Sequence, residues 1–232
     1  MEHKHHHNEK HFTSSEIVRD VIIGMTDGLT VPFALTAGLS GVVHSNALII
    51  TAGIAEIVAG SIAMGLGGYL SAKTEIEHYE TELGREYREI EIVPEQEKKE
   101  VMDVFADYGL PKNLQIEIAN ELSKNKKQWV EFMMRFELGM ERPDPKRAKQ
   151  SAFNIGISYI VGGFVPLSAY FFTQTPKEGL IFSAIITIIS LFIFGYVKTK
   201  LTGINPLQGA IKTVLIGALA AGAAFLVAKL IS

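Results

Sequence analysis

Ile17-Val18-Arg19-Asp20-Val21-Ile22-Ile23-Gly24-Met25-Thr26-Asp27-Gly28-Leu29-Thr30-Val31-Pro32-Phe33-Ala34-Leu35 is apolar enough to cross a bilayer, yet it carries Asp27 deep within it. A second run, Ala47-Leu48-Ile49-Ile50-Thr51-Ala52-Gly53-Ile54-Ala55-Glu56-Ile57-Val58-Ala59-Gly60, holds Glu56 in the same way. An ionisable group at membrane depth costs at least ~2.5 kcal/mol, so it faces a partner, a cavity or an ion path. Two such spans point to a transporter or a channel.

Working outward, the 232 residues blend two compositions. Residues 16–72 and 150–231 are strongly apolar, whereas 73–149 are dense in Glu, Lys and Arg. A helix needs roughly 20 apolar residues to cross a ~30 Å hydrocarbon core. Five candidates meet that requirement, near 17–43, 46–71, 150–173, 178–198 and 206–230. The middle segment is too polar to insert and too long for a tight loop. The expected fold is therefore an all-α integral membrane protein, with five transmembrane helices and a three-helix cytosolic domain between spans two and three. Its layout is a polar His-rich tail at 1–15, spans one and two at 16–72, the inserted domain at 73–149, and spans three to five at 150–232.

The formal net charge of −3 says little about partners, but the distribution of cations says more. Lys4, Lys10 and Arg19 lead into span one, Lys73, Lys146, Arg147 and Lys149 flank the insert, and Lys198 and Lys200 lie between spans four and five. The connections at 40–46 and 173–178 hold only Lys177. The positive-inside rule then places the N-terminus and insert in the cytosol and the C-terminus in a lumen. The first apolar run is too long for a signal peptide and lacks a small-residue cleavage site, so it reads as a true span. With no cysteine, metal ligation falls to carboxylate, thioether, imidazole or backbone oxygen. No phosphate-binding Gly-x-x-x-x-Gly-Lys-Ser/Thr loop, nucleophile elbow or zincin motif occurs, and nothing suggests nucleic acid.

Within the spans, depth is informative. At ~1.5 Å per residue, Asp27 lies about 15 Å from one end of span one, and Glu56 about 14 Å from the opposite end of the antiparallel span two. Both sit near the midplane. Asp20, seven residues before Asp27, shares its helix face at the cytosolic entrance. Met64 lies two turns beyond Glu56 toward the cytosol, and a thioether beside carboxylates suits borderline ions such as Fe²⁺ or Mn²⁺. Gly24, Gly28 and Pro32 give span one a broken character, and Gly60 to Gly68 give span two a small-residue face suited to a dimer or tight helix pair. Val31-Pro32-Phe33-Ala34 and Gly68-Tyr69-Leu70 are weakly echoed by Val165-Pro166-Leu167-Ser168 and Gly195-Tyr196-Val197, without the acidic residues. Any pathway is thus expected along spans one and two.

The insert reads as a continuation of span two to about residue 90, a helix over 94–108 opened by Pro94, and a third over 111–140 in two pieces. Glu86 and Glu89 are i,i+3 on one helix, Glu97 and Glu100 repeat the spacing on the next, and Met133, Met134 and Glu137 group on the last. Neighbouring turns bring such pairs within reach of one ion, but acidic helix faces are commonly just solvated, and Arg85, Lys98 and Lys99 stand ready to neutralise some of them. Glu75-Ile76-Glu77-His78 contains one Glu-x-x-His, the di-iron spacing of ferritin-like bundles, but the second copy such sites need is missing. Residues 1–11 read as a polar terminus or a weak metal-capturing tail.

The motif from Arg19 to Ala34, the stretch Ala55-Glu56 through Met64-Gly65, Gly68-Tyr69-Leu70-Ser71 and Lys73-Thr74-Glu75 resemble the vacuolar iron transporter family, in the plant- or protist-type branch that carries the insert. The likeness extends over nearly residues 13–231. It implies a homodimer of five-span protomers in the vacuolar membrane, moving Fe²⁺ from cytosol to vacuole in exchange for protons, with no cofactor and no enzymatic activity. It further implies that Asp27, Glu56 and Met64 line a path between protomers. Glu86, Glu89, Glu97, Glu100, Met133, Met134 and Glu137 would form the cytosolic metal-capturing site. Mn²⁺, Co²⁺ and Zn²⁺ fit the same ligand chemistry. Two other readings stand beside it: a membrane-tethered ferritin-like iron oxidase, and a metal-sensing scaffold whose spans only anchor.

Overall fold

Within a bilayer every backbone polar group must be satisfied inside its own segment, so long apolar runs fold as helices. The computed structural model describes residues 15–201, 203 and 205–231, and among them the chain is helical throughout its regular structure, without strands. In order, α1 is Ser15–Ser40, α2 Asn46–Ile92, α3 Pro94–Asp107, α4 Lys112–Leu122 and α5 Lys126–Phe132. A π-helical turn at Met133–Glu137 follows, then α6 Arg147–Phe172, α7 Pro176–Leu201 and α8 Pro206–Ile231. Helices α1, α2, α6, α7 and α8 are long and apolar enough to cross a membrane. Residues 1–14, which hold the His-rich stretch, lie outside the described residues.

The chain divides into two compact units, residues 1–69 with 149–232 and residues 70–148. In the first unit, α1 packs on α7 and α8, and α7 on α8. Helix α6 approaches both α1 and α2 at glycines. A Cβ on Gly28 would fall 2.4 Å from the Tyr159 carbonyl oxygen, and one on Gly24 2.3 Å from that of Ile155. Only a residue without a side chain permits such backbone approach. Pro32 and Pro166 both lie inside unbroken helices, so span one bends its rules without being interrupted. Large apolar side chains such as Ile62, Leu66, Leu215 and Leu219 stand exposed, as surfaces made to face lipid do.

The second unit gathers the polar end of α2 with α3, α4, α5 and the π turn. Its core holds Tyr79, Ile90, Val101, Ala119, Trp129, Val130, Met133 and Met134. Pro94 occupies the first turn of α3, as its fixed φ favours. Asn125 caps α5 by accepting from the backbone N–H groups of Lys127 at 3.1 Å and Gln128 at 3.3 Å. The third helix expected over 111–140 resolves into α4, α5 and the π turn, closed by Gly139 at φ 64°. The break follows the Ser123-Lys124-Asn125 turn, where Asn125 offers a stronger cap than continuation of the helix.

Candidate ion path and acidic cavity

Asp27 is half-buried on α1. The hydroxyls beside it serve the helix instead: Thr26 Oγ1 donates to the Ile22 carbonyl at 2.6 Å and Thr30 Oγ1 to that of Thr26 at 2.8 Å. Asp20, one heptad earlier, is fully buried and accepts a hydrogen bond from Ser151 Oγ of α6 at 3.2 Å. On α2, Glu56 is half-buried, and its Oε1 accepts a hydrogen bond from the Tyr159 hydroxyl of α6. Its Oε2 is buried and has no partner. Met64 is half-buried further along the same helix. Asp27, Glu56 and Met64 thus sit on α1 and α2 as spacing required, while Tyr159 comes from α6, a helix that the sequence reading left out of the pathway. A tyrosine thirteen residues into an apolar helix was the available signal, weak because membrane tyrosines are common at interfaces.

The second unit brings carboxylates together. Glu86 and Glu89 of α2, Glu97 and Glu100 of α3, and Glu137 of the π turn line one cavity of about 350 Å³, with Glu82, Arg85 and Gln96 on its wall. Glu86 and Glu97 are only 4% and 3% exposed, and each has an oxygen buried without a hydrogen-bond partner. Burial first, then the neighbouring charges of Glu137, Glu89 and Glu100, pushes the Glu86 carboxyl up to about 7. Burial, then Glu100, Glu86, Glu89 and Glu137, takes Glu97 to about 7 as well. Glu137 is raised too, by burial and then by Glu100 and Glu89. Like charges held close in a poorly solvated pocket resist ionising together.

The one cation of the wall, Arg85, bonds Glu89 at 3.0 Å and lies 3.7 Å from Glu82. Lys98 pairs instead with Glu95 at 3.2 Å. The carboxylates ring the space rather than converge: among the described residues no three acidic or histidine side chains stand at metal-holding geometry. Met133 and Met134 are 0% and 1% exposed within the apolar core. Met134 borders a second cavity of about 600 Å³, with Tyr79, Tyr87, Lys127 and Arg142. In the single Glu-x-x-His motif, His78 is exposed and lies 4.0 Å from Glu82.

A model of the VIT family matches residues 18–229. The chain belongs to the VIT family. Among its relatives, Vacuolar iron transporter 1 of Arabidopsis thaliana is 54% identical over 226 residues, covering 97% of this chain and 90% of that protein. Vacuolar iron transporter 1 of Tulipa gesneriana is 53% identical over 223 residues, 96% of this chain and 90% of the other. Protein CCC1 of Saccharomyces cerevisiae is 39% identical over 224 residues, 93% of this chain and 69% of the yeast protein. The VIT-family match spans the apolar helices and the insert alike.

Proposed function

We propose that this chain carries Fe²⁺ across the vacuolar membrane from cytosol to lumen, in exchange for protons, along a path that two protomers share. The Arabidopsis and Tulipa relatives are named vacuolar iron transporters and are matched over 90% of their length, and none of the three compared is named as an enzyme. The observation that carries the reading is Glu56: one oxygen is held by Tyr159 and the other is buried without a partner. In an apolar helix such an atom is satisfied by a proton or a cation. Asp27 on the neighbouring span and Met64 on the same helix supply further ligands, and a carboxylate–thioether set suits Fe²⁺, with Mn²⁺, Co²⁺ and Zn²⁺ as related loads.

The insert collects the ion first. Glu86, Glu89, Glu97, Glu100 and Glu137 concentrate cations on the insert, and Met133 and Met134, which the fold turns into the apolar core, are proposed as its soft ligands. A protonated carboxyl is a poor ligand, so an acid lumen displaces metal and returns protons toward the cytosol. The test is Fe²⁺ uptake into liposomes holding the full-length protein, with and without a pH gradient. Uptake that accelerates with an acid interior and moves protons outward is the expected result. Asp27→Asn should fold normally and abolish uptake; wild-type rates in that variant, or oxygen consumption in place of uptake, would overturn the reading.

A further inference from the structure

Tyr159 has no place in a path built from α1 and α2 alone, yet its surroundings are those of a working residue. It is 2% exposed. Its seat is made by two glycines on two other helices. The Tyr159 backbone carbonyl rests on Gly28, the residue after Asp27, and a Cβ there would lie 2.4 Å away. A Cβ on Gly60, four residues after Glu56, would fall 2.4 Å from the phenol oxygen and 2.5 Å from the ring carbon that bears it. The ring is therefore wedged with its hydroxyl between α2 and α6, donating to Glu56 Oε1.

A residue that only filled space would need no such hydrogen bond, and phenylalanine would serve. We propose that Tyr159 is the positioning residue of the transport path: it clamps Oε1 of Glu56 and leaves Oε2 as the atom that binds the divalent ion and the proton in turn. The assignment rests on the transport reading above. A hydrogen bond from a neutral donor to a carboxylate favours the charged form, the form that binds metal. Tyr159 of α6 is the titratable group that the structure sets against Glu56 among the described residues. Without the hydroxyl, the Glu56 carboxylate is free to turn, and Oε2 is no longer held toward an arriving ion.

The experiment compares full-length wild type and Tyr159→Phe in liposomes, measuring Fe²⁺ uptake against concentration. Loss of a hydrogen bond to a charged group corresponds to roughly a tenfold rise in KM, with the maximal rate kept. A purely structural role lowers the amount of folded protein and so the maximal rate, with KM unchanged. Uptake by Tyr159→Phe with the wild-type KM, or a loss confined to the maximal rate, would each overturn the assignment while leaving transport intact. An inert wild type would remove the transport reading and this one with it.

Discussion

Single atoms decide what the midspan carboxylates are able to do. Gly60 is as much a part of the Glu56 site as the acid itself, because its missing side chain is the space that the Tyr159 hydroxyl occupies. Gly60→Ala should lower stability by about 1–3 kcal/mol, the usual cost of overpacking a filled core. Gly222→Ala, with nothing within 4 Å of the added carbon, should leave it unchanged or slightly raised. Thermal melting of the two variants in detergent compares them directly. Met134 offers a complementary test, because leucine conserves its volume and costs under about 1.5 kcal/mol. If its thioether is a ligand, Met134→Leu melts near wild type yet binds Fe²⁺ more weakly, with Mg²⁺ binding unaffected. Titration calorimetry on the full chain separates the two ions.

Helix register accounts for the acidic cavity. The i,i+3 pairs Glu86/Glu89 and Glu97/Glu100 were legible as faces of α2 and α3, since spacing alone puts them on neighbouring turns. Glu137 was not legible in the same way. The turn that bears it is π-helical, with the Leu138 N–H bonded five residues back to the Met133 carbonyl at 3.1 Å. This wider turn separates Glu137 from Met133 and Met134: the methionines enter the apolar core while the carboxylate joins the cavity. No helical spacing rule anticipates that, because a π turn is set by what packs against it. The pH dependence follows from the same burial. Folding favours the protonated forms of Glu86 and Glu97, whose carboxyls rise from 4.5 to about 7. Their contribution to stability is complete below about 4.5 and is lost as pH rises through about 7. Metal-free protein should therefore melt at lower temperature at pH 8 than at pH 5, and added divalent ion should reverse the difference at pH 8 by compensating the ionised carboxylates. Calorimetry with and without chelator reads both signs.

For the protein in its membrane, charge asymmetry sets orientation. Lysine and arginine gather near the N-terminus, around the insert and between α7 and α8, which argues for a cytosolic insert. The chain lacks cysteine, so single reporter thiols are unambiguous. Thr175→Cys should react with an impermeant maleimide only from the lumenal side, and Lys112→Cys only from the cytosolic side; the reverse pattern would invert the transport direction. Five membrane-length helices, the polar insert and the acidic candidates in α1 and α2 were all readable from composition and spacing. These are properties of a segment alone: hydrophobic length, charge and turn residues act within a few residues of where they stand. Tyr159 beside Glu56, the orphan oxygen left over, Glu137 in the acidic cavity and the methionines turned into the core depend on which helices meet and at what height. Such meetings are governed by close packing at glycines far apart in sequence from the residues they touch, as Gly28 and Gly60 are from Tyr159, and only the folded chain brings them together.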